Sequence, residues 1–156
     1  MPEETLVGVV SDTHGLLRPA VLEKLQGVDH IIHAGDVDRP DILESLQAVA
    51  PTSTVRGNVD RGIWAQALPY TRTLELGGHI LYVLHDLGQL NLDPAAAGFA
   101  AVIYGHSHQP ALEKKDGVLY LNPGSIGPRR FSLPISMARL RLHEEGVEAE
   151  LIELDE

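Results

Sequence analysis

The stretch Leu6-Val7-Gly8-Val9-Val10 limits what this chain can fold into more than any other, because it is apolar at every position instead of alternating. A strand with one wet face alternates apolar and polar side chains, whereas a strand covered on both faces does not, and such strands belong to parallel sheets with a layer on either side. The run stops at Ser11-Asp12-Thr13-His14-Gly15, where Gly15 permits a tight turn into a helix predicted over 18–26 and closed by Gly27. The same unit then recurs. Ile31 and Ile32 lie in a strand leading through His33 and Ala34 to Gly35-Asp36, followed by Asp38 and a helix predicted over 41–49. A third strand, over 52–56, ends in Gly57-Asn58-Val59-Asp60. Strand-helix units in succession imply right-handed crossovers and parallel strands.

Beyond residue 70 the pattern changes to hairpins. Strands over 71–76 and 80–84 flank Gly77-Gly78, and the second ends at His85-Asp86. A short segment over 87–98 precedes the apolar run Ala101-Val102-Ile103-Tyr104, which leads into Gly105-His106-Ser107-His108. Another hairpin, 111–115 with 118–121 around Asp116-Gly117, runs into Asn122-Pro123-Gly124-Ser125, and strands over 136–142 and 147–154 close the chain. A chain of 156 residues with 44% hydrophobic content is long enough for one well-cored domain, expected to span residues 1–156.

Composition removes several classes of function. There is no cysteine, so disulfides and thiolate zinc sites are excluded and any metal must be held by nitrogen and oxygen. A formal net charge of -10 disfavours a nucleic-acid polymer as partner. Part of that excess is local: seven of the last thirteen residues are acidic, which marks a solvated edge strand. The start, Met1-Pro2-Glu3-Glu4, lacks the basic-then-apolar order of a signal peptide, and no apolar run approaches the ~20 residues of a membrane span, so a cytoplasmic protein without a membrane partner is expected. Homo-oligomerisation is left open.

In an open α/β sheet, ligands bind beyond the carboxyl ends of the strands. Here five strand ends carry Asp12 and His14, Asp36, Asn58, His85, and His106 with His108. Side chains at i and i+2 of an extended segment share a side, so each of the two paired sets can face one cleft. Singly, each residue has an ordinary role available as a helix cap, a turn residue or a core histidine. Together they point to a metal site. Seven ligands exceed what one ion with an open position needs, so two ions sharing a carboxylate fit better. A set with four imidazoles suits manganese, iron, cobalt, nickel or zinc and does not choose among them.

Asp12-x-His14, Gly35-Asp36, Gly57-Asn58, His85 and Gly105-His106-Ser107-His108, in that order, resemble the calcineurin-like metallophosphoesterase superfamily. The compact size, Asn122-Pro123-Gly124-Ser125 and Val59 make the chain most similar to its small bacterial and archaeal phosphodiesterase branch. The resemblance implies an α/β fold of two mixed β-sheets packed as a sandwich flanked by helices, in four layers. It further implies a first metal on Asp12, His14, Asp36 and His108, and a second on Asn58, His85, His106 and the shared Asp36. Asp36, Asn58 and His106 are then the expected catalytic residues. The implied function is a hydrolase: a phosphodiesterase in which hydroxide held by two divalent transition-metal ions attacks phosphorus in a small phosphate ester. The alternatives are a phosphomonoesterase or nucleotide pyrophosphatase using the same site, and a non-catalytic scaffold of the same fold.

Two positions depart from the family pattern. Val59 stands where many members carry a histidine that assists the leaving group, and Asp86 stands where glycine is common. Asp38 and Asp60 are substitute proton donors or turn residues; Asp86 is an acceptor for an imidazole or a solvent-facing residue; His33 either supports the site or fills the core. His30, His79 and His143 are read as surface or core residues. Arg129 and Arg130 contact a phosphate or form an exposed basic pair. The short 87–98 segment leaves little room for a lid, which suits an open site and varied substrates.

Overall fold

The computed structural model describes residues 4–130 and 132–154. The N-terminal residues read above for a signal peptide, up to Glu3, and the terminal acidic pair Asp155 and Glu156 lie outside the described residues. The first half is built of β1 (Thr5–Val10), α1 (Pro19–Lys24), β2 (His30–His33), α2 (Pro40–Gln47), β3 (Thr52–Thr54) and a single helical turn, α3 (Ile63–Gln66). The second half is all strand: β4 (Thr71–Leu76), β5 (His79–Leu84), β6 (Ala101–Ile103), β7 (Ala111–Lys115), β8 (Val118–Asn122), β9 (Ile135–His143) and β10 (Gly146–Leu154), with a 3-10 turn at Leu87–Gln89. The expected helices are present but shorter at their C-terminal ends, and α3 was not foreseen.

These strands form two five-stranded mixed sheets, ordered β10-β9-β1-β2-β3 and β4-β5-β6-β8-β7. β1, β2 and β3 run parallel, as the strand-helix units require, while β9 and β10 add an antiparallel edge. The acidic C-terminal strand β10 is indeed an edge. Its alternating charges keep that edge wet and unattractive to another strand.

Both sheets are covered on both faces, which is why their central strands are apolar at every position. Val7 and Val9 of β1 point into the layer between the sheets, where they meet Leu81 and Val83 of β5 and Ala101 and Ile103 of β6. Val10 and Ile31 face the other way, against Val21 and Leu25 around α1 and Ile42 and Leu46 of α2. Gly8 explains the one gap in the β1 run: a Cβ there would collide with Leu25, just past the end of α1. On the second sheet, Tyr82, Leu84, Val102 and Val118 are covered by Leu87, Leu90 and Phe99 from the 3-10 turn and its loop. The sandwich and its flanking helices match the expected four-layer architecture, with the layer over the second sheet made of turn and loop.

Candidate metal centre

The loops that follow β1 and β2 do not diverge. Their backbones stay bonded past the strand ends, with the Asp12 amide donating to the Gly35 carbonyl, His14 to Asp36 and Gly15 to Val37, each at 3.0 Å. In the second sheet the Gly105 amide donates to the His85 carbonyl at 2.9 Å, tying the end of β6 to the end of β5. Strand ends from both sheets therefore meet at one rim of the sandwich.

Two groups of candidate donor atoms assemble there: Asp12, His14 and His108 in one, and Asp36, His85 and His106 in the other. Each group draws on both sheets. Asp12 Oδ1 lies 3.7 Å from His14 Nε2, 3.8 Å from His85 Nε2 and 3.5 Å from His108 Nε2. Asp36 Oδ2 lies 3.1 Å from His85 Nε2 and 3.5 Å from His14 Nε2, so this one oxygen touches imidazoles of both groups. The rings pair in the same way, His14 with His108 at 5.1 Å and His85 with His106 at 5.2 Å.

Each carboxylate spends one oxygen on the protein and leaves the other for the cluster. Asp12 Oδ2 accepts from the Ser11 hydroxyl at 2.7 Å and the His106 amide at 3.2 Å, while Asp36 Oδ1 accepts from the Val59 amide at 3.0 Å. His85 Nδ1 donates to the Ala34 carbonyl at 2.7 Å, which leaves Nε2 unprotonated in the neutral ring and aimed inward. A backbone acceptor behind the ring is the usual way a metal-binding histidine is fixed in its tautomer.

Buried polar atoms without a partner are costly, so where they cluster they call for an explanation. Among the described residues these atoms are Asp12 Oδ1, His14 Nε2, His85 Nε2, His108 Nδ1 and Arg139 Nε. Four of the five belong to the cluster. The donor set is imidazole nitrogen and carboxylate oxygen, which fits divalent transition-metal ions.

The charges are organised to the same end. Burial alone would push the Asp36 carboxyl up, but His85, the Val59 amide and His14 together outweigh it and hold the group well below the usual carboxylate range. The Asp12 carboxylate, 3.7 Å away, raises His14 against the opposing effect of burial. Burial likewise works to lower His85, and Asp36 and Asp12 overcome it and raise that ring above its ordinary value. His108 goes down because burial dominates the pull of Asp12.

The backbone is strained at the same residues. Asp12, His14, Asp36, His106 and His108 all have positive φ, between 46° and 74°. Residues with a Cβ rarely adopt that region, and a cluster of them persists only where surrounding contacts enforce it. At Gly57 and Gly105 the packing leaves no room for a side chain: a Cβ would overlap Asp36 in the first case and Ser11 in the second.

Six of the seven expected ligands are thus brought together. Asn58, the seventh, sits exposed on the loop after β3, and it shares the wall of a neighbouring cavity with His85. His106 is exposed too, whereas Asp12, Asp36, His85 and His108 are buried, so the cluster is closed behind and open on the Asn58 and His106 side.

Several supporting residues were left open or missed by the sequence. His33 is fully buried; its Nδ1 accepts from the Gly35 amide at 3.1 Å, so Nε2 carries the hydrogen that bonds Thr13 Oγ1 at 3.0 Å, and Thr13 in turn donates to the Val37 carbonyl. Burial pushes His33 down to about 4, so it is a neutral brace between the β1 and β2 loops. Asp60 accepts from the amides of Asp36, Asp38 and Gly57, which makes it a loop cap. Asp86 caps the 3-10 turn through the Gly88 amide at 2.9 Å and touches no imidazole of the cluster. Asn122 Nδ2 holds the Gly105 carbonyl and Ser107 Oγ, and Ser125 Oγ donates to the Asp12 carbonyl, so the Asn122-Pro123-Gly124-Ser125 segment is a bracket behind the site. Arg129 and Arg130 are exposed. Charge on Arg130 lowers the proton affinity of His14 and His108. His79 bonds the His143 carbonyl, His143 pairs with Glu148, and His30 bonds Ser53, all away from the cluster.

A two-sheet sandwich with paired carboxylate–imidazole groups at one rim defines a metallohydrolase class. The chain belongs to the calcineurin-like phosphoesterase superfamily, whose domain matches residues 6–145. A probable metallophosphoesterase of Methanothermobacter thermautotrophicus is 35% identical over 159 residues, covering 94% of this chain and 91% of that protein. In structure, a protein described as a novel archaeal phosphodiesterase superposes with a TM-score of 0.82 at 23% identity, over 96% of this chain and 100% of the other. Vacuolar protein sorting 29 from Cryptosporidium parvum shares the fold as well, with a TM-score of 0.77 at 17% identity over 98% and 99% of the two chains. The family is one of phosphoester hydrolases that bind divalent metal. Among the described residues, no helix is long and apolar enough to cross a membrane.

Proposed function

We propose that this chain is a phosphodiesterase acting on small phosphate esters with two divalent transition-metal ions, manganese first among them. The observation that carries the reading is the position of Asp36 Oδ2, within 3.5 Å of imidazoles from both donor groups, which suits a carboxylate shared between two ions. Asp12, His14 and His108 would hold one ion with Asp36, and Asn58, His85 and His106 the other. Such a pair, when bound, supplies Lewis acidity toward a phosphoryl oxygen and acidifies water. The chain's own contribution is placement. The Ala34 carbonyl, the Val59 amide and the Ser11 hydroxyl fix the orientation of His85, Asp36 and Asp12 before any ion arrives, and the exposed Asn58 and His106 leave the side from which a phosphate can approach.

At the position after Asn58, and at Asp60 beside it, no proton is on offer for the leaving group. Val59 has none to give, and Asp60 is engaged with three backbone amides. A general acid is worth ~10² to 10⁴ in rate, so esters whose alcohol leaves as a stable anion should be strongly favoured. The test is metal-stripped protein reloaded singly with manganese, nickel, cobalt, iron or zinc, assayed on an aryl phosphodiester, its alkyl counterpart and the aryl monoester. Aryl diester turnover well above both others is expected; equal rates on aryl and alkyl diesters would remove the leaving-group argument, and a preference for the monoester would favour the phosphomonoesterase alternative. A scaffold role, suggested by the shared fold with vacuolar protein sorting 29, predicts no turnover with any metal.

A further inference from the structure

Beside the cluster, and sharing His85 with it, lies a cavity of about 640 Å³ lined also by Asn58, Arg56, Arg61 and Tyr70. Of its two carboxylates, Asp60 is spent on three backbone amides and Asp86 caps the 3-10 turn, and its two cations are the Arg56 and Arg61 guanidiniums. They differ in attachment. Arg56 is anchored: its Nε donates to the Asp60 carbonyl at 3.3 Å and its guanidinium stacks 5.2 Å above the Tyr70 ring, which presents its remaining donors in a fixed plane. Arg61 is exposed and has no hydrogen-bond or ion-pair partner among the described residues. One braced guanidinium beside one uncommitted guanidinium is suited to gripping a planar or tetrahedral oxyanion through forked donors. Gln89 and Asn91 add neutral donors to the lining, and Tyr82 and Leu84 contribute apolar surface.

We propose that this cleft is a specificity subsite for a second anionic group, a phosphate or carboxylate carried by the substrate beyond its reacting phosphorus. The proposal rests on the phosphodiesterase reading for the position of that phosphorus at the Asn58 and His106 side. It narrows the substrate class to phosphate esters with two separated anionic centres.

Two measurements test it. The first is kcat/KM of the manganese-loaded protein on two aryl phosphodiesters that differ only in a carboxylate on the ring remote from the reacting bond. Charge-assisted hydrogen bonds are worth about ten- to a hundredfold in affinity, so the wild type should favour the carboxylated ester by about that factor, Arg61→Gln should bring the ratio near one, and Arg61→Glu should invert it. The second needs no turnover: calorimetric titration of metal-free protein with inorganic pyrophosphate, where wild type should bind and Arg61→Glu should lose at least about tenfold in affinity. Diester turnover with a ratio unmoved by either substitution overturns the subsite and leaves the proposed function standing. No turnover, but pyrophosphate binding that depends on Arg61, supports the subsite and overturns the phosphodiesterase reading. Pyrophosphate binding indifferent to Arg61 overturns the subsite.

Discussion

Gly57 matters through what it lacks. Its missing Cβ leaves space for the Asp36 amide and Oδ1, and a methyl group there would overlap both. Gly57→Ala should therefore displace Asp36 from the cluster without touching any proposed ligand chemically. Changes just behind a metal ligand typically cost ~10- to 100-fold in affinity, and that loss is expected for manganese binding measured by calorimetry. Retention of full affinity would mean that Asp36 is not held where its Oδ2 can serve both donor groups. A second residue-scale consequence concerns His33. It is neutral and fully buried in the folded protein, at about 4, against an ordinary histidine value near 6.5. A histidine depressed in this way contributes stability above the unfolded value that is lost as pH falls, because below about 6.5 the unfolded chain takes up a proton that the folded one refuses. Over the window from about 6.5 to 4 this amounts to about 3 kcal/mol. Urea unfolding of metal-free wild type and His33→Gln across that range should show the difference between them shrinking with acidity; a constant difference would mean His33 is not the buried neutral brace inferred from its bonds to Gly35 and Thr13.

At the scale of elements, much of the fold was readable because burial on both faces leaves a continuous apolar run, as in β1, and hairpins announce themselves through Gly77-Gly78 and Asp116-Gly117. The ligand-type residues were readable only as a set: each alone has an ordinary role as cap, turn or core residue, but seven of them at five strand ends do not. What escaped the sequence is non-local or too short to have a period. α3 is a single turn, below the length at which apolar spacing can be recognised. The Thr13–His33 bond joins residues twenty positions apart, and the positive φ of Asp12 or His106 has no sequence marker because neither is glycine. The parallel pairing of β5, β6 and β8 was also hidden, since the intervening β7 hairpin sends β8 back to a strand it does not follow directly. β6 is three residues long and wholly buried, with Ile103 in the layer between the sheets and two positions before Gly105. Ile103→Ala should cost about 2 to 5 kcal/mol in urea unfolding, the usual range for such a truncation in a packed core. A cost below ~1 kcal/mol would mean that the inter-sheet layer at β6 can collapse around the loss.

For the whole molecule, the decisive fact is that each donor group spans the sandwich. Asp12 and His14 follow β1 in the first sheet while His108 follows β6 in the second, and Asp36 follows β2 while His85 and His106 follow β5 and β6. Ions bound by these groups would tie one sheet to the other, and because the groups come together only in the folded chain, binding must raise the free energy of unfolding. At free metal about a hundred times the dissociation constant, the gain should be about 2.7 kcal/mol per site. Its pH dependence follows from the metal-free protein. His14 and His85 hold protons more tightly than ordinary histidines because Asp12 and Asp36 face them. That raised affinity stabilises the metal-free fold below the unfolded value and is lost as pH rises through the folded one. A metal needs those same nitrogens free of protons, so its stabilising effect must move the opposite way, growing as pH rises through the same interval. Thermal unfolding with and without manganese should therefore show a shift in Tm that is small at pH 5.5 and widens toward pH 8, with Asp36→Ala abolishing most of it because both donor groups lose their shared oxygen. A shift of equal size at both pH values, or one that survives Asp36→Ala intact, would place the bound ions somewhere other than between the two sheets.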